Sequence, residues 1–302
     1  MTVGQSTHYN AIMSDLIFRF APSPNGHLHL GHALSALVTR DMAQEAGGRL
    51  LLRIEDIDTE RCRLEFETQI LEDLEWLGLE WEKPVRRQSE HLPLYADYAA
   101  RLGEMGLLYP CFASRKDIAA QAVQGKTDPD GAALYPNLHK DMPEEEVARR
   151  KKEGEPFALR LDMEKAIATA HVMSPAPLTF QELDRNMEVG ETVLANPARW
   201  GDAVIARKNS TTSYHLSVVV DDALQSVTHV TRGRDLYAAT DIHRLLQVLL
   251  GLPVPLYHHH ELLMDEKGHK LSKRHGDKSL KSLRSEGATS RDIRQLAGID
   301  RK

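Results

Sequence analysis

Short apolar runs alternate with longer amphipathic stretches over the first third of the chain, and this order most constrains its fold. Residues 16–20 are typical of a strand, and a loop rich in proline separates them from 29–46, where apolar side chains recur at helical spacing. Two glycines end that helix, and residues 50–54 are again typical of a strand. Strands that alternate with helices in this way predict an α/β fold with a parallel sheet.

The same patterns continue, with one interruption. They predict further helices at 60–77, 91–106 and 236–251, and strands at 203–206 and 227–231. Residues 112–200 differ, because they hold half of the fourteen prolines and several mixed charge clusters. We therefore expect an insertion or small second domain there.

Length and composition set outer limits on the chain. Its 302 residues suggest about two domains. Two cysteines, Cys62 and Cys111, are too few for a disulfide framework, which favours a reducing, cytoplasmic location. No apolar run is long enough to span a bilayer, and residues 1–15 resemble a leader rather than a signal peptide. We expect no membrane association.

The charge is unevenly distributed. The net charge of −6 excludes a uniformly basic nucleic-acid coat. Residues 267–302, however, carry eleven Lys/Arg and four Asp/Glu, so this end has a charge of +7 and the rest −13. A basic end on an acidic body suggests a polyanionic partner, and a solvated helical tail is the alternative.

The most informative stretch is RFAPSPNGHLHLGH at residues 19–32, where a strand passes through a Pro/Gly loop into a helix. Unsatisfied N–H groups at a helix N-terminus favour phosphate, and Gly26 and Gly31 allow close approach of a ligand. His29 and His32 lie on one helical face, where both could bond one polyphosphate. No third ligand stands at a recognisable spacing, which disfavours a metal site.

A second stretch, KLSKR at residues 270–274, is a basic cluster in a glycine-flanked loop. Lys270 and Lys273 could neutralise the charge that develops on a triphosphate during attack at its α-phosphorus. Alone, such a cluster is usually a solvated surface. The two stretches in this order are more specific than either one.

Together, HLGH and KLSKR resemble the paired HIGH and KMSKS motifs of class I aminoacyl-tRNA synthetases. RIEDID at 53–58, YHLSVVVDD at 214–222 and VTRGRDL at 230–236 resemble the glutamyl branch of that family. In the glutaminyl branch a glutamate side chain usually stands at the position of Ser23, so the serine resembles the glutamyl branch and favours glutamate as the amino acid. The resemblance covers residues 17–275 and implies a Rossmann-type parallel nucleotide-binding sheet split by an insertion domain.

The resemblance also implies a division of the chain and a class of substrate. We expect a leader (1–15), two halves of the catalytic domain (16–111 and 201–265), an acceptor-end-like insertion (112–200), and the KLSKR loop with a short basic helical segment (266–302). Only 28 residues follow Arg274, so we expect no helical anticodon-binding domain. Such short members of the branch are queuosine-directed. They use ATP with Mg²⁺ to activate L-glutamate and transfer it to the queuosine base at the wobble position of tRNA(Asp). We expect a monomer.

The motif positions imply roles for individual residues. Arg19 and Arg232 would clamp carboxylates, Glu55 would hold the α-ammonium, and Tyr214 would add a hydroxyl donor. An Arg53–Glu55 ion pair and a helix-capping Arg232 are the structural alternatives. The implied amino-acid site consists of Arg19, Ala21, Ser23, Glu55, Tyr214 and Arg232. The implied ATP site consists of Gly26, His29, Gly31, His32 and Lys273, with His29, His32, Lys270 and Lys273 as the catalytic group.

Two groups of residues could be read as metal sites. Asp221 and Asp222 could bind a metal, but a structural or ribose-side role is preferred. Relatives often carry a zinc site in the insertion, yet here only Cys111, Tyr135 and His139 stand at the corresponding positions. Because a structural zinc usually needs four ligands dominated by thiolate or imidazole, we expect no zinc and no other resident metal.

Three functions compete at this point. The first is the queuosine-directed ligase, in which Arg291 and Arg294 of the basic end would contact the tRNA. The second is a truncated glutamyl-tRNA synthetase that charges a tRNA 3′ end with a partner. The third is a non-catalytic tRNA-binding paralogue, which the intact motifs disfavour.

Overall fold

The computed structural model describes residues 16–264 and 278–299, and strands and helices alternate along them. The strands are β1 (Ile17–Phe20), β2 (Arg49–Ile54), β3 (Glu82–Arg87), β4 (Leu108–Cys111), β5 (Ala158–Leu161), β6 (Thr179–Leu183), β7 (Val189–Leu194), β8 (Val204–Ala206), β9 (His229–Gly233) and β10 (Leu256–His260). The helices are α1 (Leu30–Glu45), α2 (Leu64–Trp76), α3 (Leu92–Glu104), α4 (Arg115–Gln121), α5 (Glu144–Lys152), α6 (Met163–Met173), α7 (Tyr214–Leu224), α8 (Ala239–Leu250), α9 (Leu280–Ser285) and α10 (Ser290–Leu296).

A seven-stranded sheet in the order β3-β2-β1-β9-β10-β6-β7 forms the centre of the molecule. Its neighbours are parallel except for β6 and β7, which form an antiparallel pair at one edge. The predicted α/β fold with a parallel sheet is therefore confirmed. Parallel strands open their carboxyl ends on one edge of a sheet, which is where ligands bind in such folds.

Helices cover the sheet with apolar faces, as a parallel sheet requires. On one side, α1 packs Leu37 and Met42 against Phe18 of β1 and Leu52 of β2, all nearly inaccessible to solvent. A second cluster joins α3, α6, α7 and α8. Each fully buried leucine or phenylalanine contributes roughly 1.5–3 kcal/mol, so these clusters hold the strand ends in fixed positions.

A smaller antiparallel sheet, β4-β5-β8, forms the centre of the inserted region. Strand pairing divides the chain differently from the bounds expected at 112 and 200. Strands β4 and β8 lie just outside those bounds but pair with β5, whereas β6 and β7 lie inside them but join the main sheet. Local patterns show that a strand exists, and only long-range packing decides which sheet it joins.

The C-terminal helices α9 and α10 pack back onto the main domain. Leu280 and Ile293 are completely buried in the same apolar cluster as α1 and α2. Arg294 forms a two-point ion pair with Asp41 of α1, with N–O distances of 3.2 and 2.9 Å. None of the described helices has the length and apolar character that a bilayer crossing needs.

Candidate active site

A cavity of about 320 Å³ opens at the carboxyl ends of β1, β9 and β10, beside the N-terminus of α1. It brings together residues that the sequence predicts for both the amino-acid and the ATP site. These are Arg19, Ala21, Ser23, His29, Gly31, His32, Glu55, Tyr214 and Arg232. Gly26 belongs to the preceding loop and is not part of the lining. Lys270 and Lys273 lie outside the described residues.

The two histidines of HLGH form a reciprocal cap at the start of α1. The Nδ1 atom of His29 accepts a bond from the Gly31 N–H at 3.1 Å, and the Nδ1 atom of His32 accepts one from the His29 N–H at 3.2 Å. A neutral ring that accepts at Nδ1 carries its proton on Nε2. Both rings therefore present an N–H donor at the positive end of the helix, which suits phosphate oxygens.

Glycine is required at position 31 by this cap. A Cβ atom there would lie 2.9 Å from Cε1 and 3.1 Å from Nδ1 of the His29 ring. Gly26 has a φ of 155°, a conformation that side chains disfavour. Positions 26 and 31 therefore both favour a residue without a side chain.

Both described ends of the segment that contains KLSKR lie at this cavity. Before the segment, Leu262 and Leu263 line the cavity. After it, Ser279 forms a bridge with His29, and the Leu280 N–H donates to the Leu28 carbonyl at 2.8 Å. The role of the lysines in the segment stays a prediction, and the described chain before and after it lies beside the cavity and the N-terminus of α1.

Buried ion pairs fix the floor of the cavity. Asp222 accepts bonds from Arg19 at 3.1 Å and from Arg53 at 2.8 Å. Burial raises the pKa of Asp222, but the two guanidinium groups outweigh it and hold the pKa below its usual range. Asp221 accepts bonds from Arg86, Gln88 and Tyr95 at 2.8, 2.9 and 2.8 Å. Both aspartates therefore have the structural role preferred from the sequence.

Arg232 has a different environment from Arg19 and Arg53. Arg232 is 4% exposed, and its guanidinium donates to Tyr214, Thr240, His243 and His259, all neutral acceptors. Within residues 16–264 and 278–299, no carboxylate lies within ion-pair distance of it. Buried charges are usually paired, so this cation is left available for an anionic group entering the cavity.

Two buried histidines, His243 and His259, bond Arg232 without neutralising it, and the half-buried His215 lies behind His243. His259 accepts from Arg232 at Nε2 and donates from Nδ1 to Glu182 at 2.8 Å. His243 accepts from Arg232 at Nδ1, and its Nε2 lies 3.4 Å from Nδ1 of His215. Burial and the charge of Arg232 lower the pKa of His215 to about 4 and that of His243 well below its usual value. Burial, only partly offset by Glu182, lowers the pKa of His259 to about 4.

Glu55 supplies the opposite charge to the same cavity. Burial raises its pKa, although Arg53 at 3.2 Å and Arg19 oppose the shift. The Arg53–Glu55 ion pair thus exists alongside the lining role of Glu55. An ammonium group in the cavity would favour the ionised carboxylate.

Cys111, Tyr135 and His139, which stand where relatives often carry a zinc site and for which we expect no zinc, are brought together in the insertion. The Cys111 thiol bonds Tyr135 Oη at 3.3 Å, Tyr135 Oη accepts the His139 N–H at 2.9 Å, and His139 Nδ1 accepts the Phe112 N–H at 3.0 Å. Burial also raises the pKa of Tyr135, which keeps it a neutral phenol. This hydrogen-bonded cluster does not fit a tetrahedral site of thiolates and imidazoles. Across the described ranges, no group of three or more His, Cys, Asp or Glu could hold a metal ion.

The two arginines predicted to contact tRNA have unequal surroundings. Arg294 is committed to Asp41, whose pKa the Arg294 and Arg40 bonds hold low despite burial. Arg291 lies on the exposed face of α10.

Sequence reasoning did not name several residues that line the cavity or hold Arg232 in place. These are Thr231, Asp235, His260, Thr240, His243, His259 and Glu182. Thr231 and Asp235 lie within the VTRGRDL motif, and the run of three histidines at 258–260 marks His259 and His260.

Comparison with known proteins identifies the family of this protein. Residues 15–296 match the family model for the catalytic domain of class I tRNA synthetases (E and Q). The chain belongs to this family. It is an enzyme, a ligase of the class I aminoacyl-tRNA synthetases, and the resemblance predicted from the motifs is confirmed.

This synthetase is similar to relatives of two kinds. It is 49% identical over 290 residues to the glutamyl-Q tRNA(Asp) synthetase of Rhodobacter capsulatus, which covers 94% of this chain and 100% of that protein. It is 37% identical over 276 residues to the glutamate–tRNA ligase of Aquifex aeolicus, which covers 91% of this chain. The chain spans only 55% of that ligase.

Solved structures agree on the fold. A glutamate tRNA ligase from Elizabethkingia meningosepticum, in complex with its amino acid, matches with a TM-score of 0.69 at 27% identity, covering 91% of this synthetase and 54% of that chain. Methionyl-tRNA synthetase from Mycobacterium tuberculosis matches with a TM-score of 0.57 at 12% identity, covering 94% of this synthetase and 64% of that chain. The second likeness concerns the fold alone.

Proposed function

We propose that this enzyme activates L-glutamate with ATP and transfers the glutamyl group to the queuosine base at the wobble position of tRNA(Asp). The observation that carries the glutamate assignment is Arg232, a buried cation surrounded by neutral acceptors in the described structure. Glutamate brings two carboxylates and an ammonium. Arg232 matches a carboxylate and Glu55 matches the ammonium.

The first step is formation of glutamyl adenylate. A carboxylate oxygen attacks the α-phosphorus of ATP, a new P–O bond forms, and pyrophosphate leaves with the electrons of the broken bond. His29 and His32 would donate to phosphate oxygens from Nε2, and Lys273 would neutralise the leaving charge. Because ATP carries its own leaving group, positioning and electrostatics supply the catalysis. Mg²⁺ would arrive with ATP and neutralise its phosphates, as this hard cation prefers oxygen ligands.

The second step is acyl transfer. A hydroxyl of the cyclopentenediol ring of queuosine attacks the adenylate carbonyl carbon, an ester bond forms, and AMP leaves as the acyl–phosphate bond breaks. The hydroxyl proton is released to solvent. The queuosine assignment is supported by similarity to the glutamyl-Q tRNA(Asp) synthetase of Rhodobacter capsulatus, which this chain matches over 100% of that protein.

Charging of a tRNA 3′ end is the second candidate, favoured by the 37% identity to the Aquifex aeolicus ligase. One experiment separates the two. Labelled glutamate and ATP are incubated with tRNA(Asp) with queuosine, with tRNA(Asp) without it, and with tRNA(Glu). Our proposal requires label only on the queuosine-containing tRNA, and nuclease digestion must release that label on the wobble-position nucleoside and not on the 3′-terminal adenosine. Labelling of tRNA(Glu) would refute the queuosine assignment.

Contact of the basic end with tRNA is a further part of the proposal. Because Arg291 is exposed on α10, whereas Arg294 is fixed by Asp41, Arg291→Glu is the cleaner test. It should raise the KM for tRNA and leave ATP–pyrophosphate exchange unchanged. An unchanged KM for tRNA at low salt would remove Arg291 from the tRNA contact.

A further inference from the structure

A second and larger cavity, of about 500 Å³, lies between the insertion and the main domain. Helix α4 and the loop at 128–135 line one side, and β8 and the start of α7 line the other. Tyr214 lines both this cavity and the glutamate cavity. A group bound in the second cavity would therefore be adjacent to an activated glutamate.

Aromatic side chains line the second cavity, and the Arg160 guanidinium lies over one of them, Tyr135, at 3.8 Å from the ring centroid. Tyr135, Trp200, Tyr214 and His215 all line it. The rings of Trp200 and His215 lie 5.2 Å apart in an edge-to-face arrangement. Aromatic side chains that line a cleft are the usual platform for an unstacked nucleobase.

The charged groups of the cavity differ in what they already bind. Arg160 donates to the Asp202 carbonyl at 2.7 Å, and Arg207 pairs with Asp58 at 3.5 Å. Asp202 accepts from Tyr109 at 2.6 Å, and Asp128 accepts two backbone N–H groups.

Asp130 has no such partner. Over the described residues its carboxylate makes no hydrogen bond or ion pair. Asp130 is an exposed residue, and partial desolvation by neighbouring atoms, with the nearby carboxylates of Asp128 and Asp235, raises its pKa. An added cation would relieve that repulsion.

A buried hydroxyl gives an independent sign of an unfilled polar position. Ser213 lines the cavity, is 4% exposed, and its Oγ finds no hydrogen-bond partner within the described structure. A buried polar atom without a partner costs about 1–3 kcal/mol. Such an atom beside a cavity is well suited to bond a ligand.

We propose that the second cavity binds the acceptor nucleobase, and that Asp130 recognises a cationic amine on that base while Ser213 bonds its polar edge. The inference rests on the proposed function, because queuosine carries a protonated amine between its deazaguanine ring and its diol. It goes further by assigning selectivity for the modified base to a charge on the insertion rather than to the glutamate cavity.

The test separates cation recognition from transfer. Two competitor tRNA(Asp) species carry either guanosine or 7-aminomethyl-7-deazaguanosine at the wobble position. Neither has the diol, so neither is a substrate, and they differ in the cationic arm. The native enzyme should bind the aminomethyl species on the order of tenfold more tightly, a typical effect of a hydrogen bond to a charged group.

Asp130→Asn should abolish this preference, with ATP–pyrophosphate exchange unchanged. Asp141→Asn is the matched control, since Asp141 is an exposed acidic residue of the insertion that lines neither cavity. Ser213→Ala should lower kcat/KM for the queuosine-containing tRNA several-fold without affecting exchange.

Absence of any preference in the native enzyme, or full preference in Asp130→Asn, would overturn the inference. Glutamylation of queuosine-containing tRNA by the native enzyme would then still support the proposed function. Failure of the proposed function has a different signature, which is no transfer to that tRNA by the native enzyme or by the Asp141→Asn control.

Discussion

Replacement of Glu182 by Gln should weaken glutamate binding although Glu182 does not line the cavity. Its two oxygens accept from the His259 backbone N–H at 2.7 Å and from His259 Nδ1 at 2.8 Å. A glutamine amide has one acceptor and one donor group. If its oxygen bonds the ring, its NH₂ faces the backbone N–H. If its NH₂ bonds the ring, the His259 proton moves to Nε2 and faces the Arg232 N–H.

Either arrangement loses one good bond in a buried network, at a cost of about 1–3 kcal/mol. Arg232 keeps its bonds to Tyr214, Thr240 and His243, so only part of that cost reaches its position. We expect the KM for glutamate in ATP–pyrophosphate exchange to rise roughly tenfold, the equivalent of about 1.4 kcal/mol. The KM for ATP should not change, since the phosphate end of the cavity is built from α1.

The matched control is Glu188→Gln, which makes the same change on an exposed side chain of the same β6–β7 hairpin. It should leave both KM values as in the native enzyme. A folded Glu182→Gln enzyme with an unchanged KM for glutamate would refute the argument, and so would an equal rise in both KM values, which would indicate general damage.

Three further predictions concern stability and the phosphate end. His215 and His259 have pKa values near 4 when folded, against 6.5 for an exposed imidazole, so the unfolded chain binds more protons in that window. Urea unfolding should show stability falling from pH 6.5 towards pH 4, by up to about 3 kcal/mol per histidine; a flat profile would contradict this. Asp222→Asn removes the carboxylate that Arg19 and Arg53 share, so Arg53 keeps Glu55 but Arg19 loses its ion pair. This should lower the unfolding free energy by about 3–5 kcal/mol, and an unaltered melting temperature would contradict it. Gly31→Ala should raise the KM for ATP roughly tenfold by displacing the His29 ring, about 1.4 kcal/mol; an unchanged KM would show that the cap tolerates a Cβ.

Local pattern was a good guide to the main sheet and its helices. Apolar spacing predicts a helix at 29–46 and a strand at 50–54, and the structure has α1 and β2 there. The hairpin of β6 and β7 was not placed, because β7 is largely exposed and carries no strong alternation. Its membership of the main sheet depends on β6 pairing with β10, about 75 residues away, and no local signal encodes such a contact.

The site divides in the same way. Motif residues such as Arg19 and Tyr214 were named from the sequence because their spacing carries a resemblance. The neutral shell around Arg232 was not, because His243 and Thr240 lie on a largely apolar helix and look like ordinary polar positions. These residues leave the charge of Arg232 available because their rings are neutral tautomers that accept its N–H groups, and because no carboxylate lies near Arg232 in the described structure. Both are properties of three-dimensional arrangement.

Helix α1 connects two parts of the molecule that would otherwise be considered separately. Its first residues carry the phosphate-facing cap, and three turns further on Asp41 holds Arg294. Ser279 and Leu280 also attach directly beside His29 at the other end of the helix. The C-terminal helices are therefore part of the wall that supports the nucleotide end. A minimal catalytic fragment of this synthetase has to retain residues 278–299, because removing them would expose the buried face of α1 and release the support behind its cap.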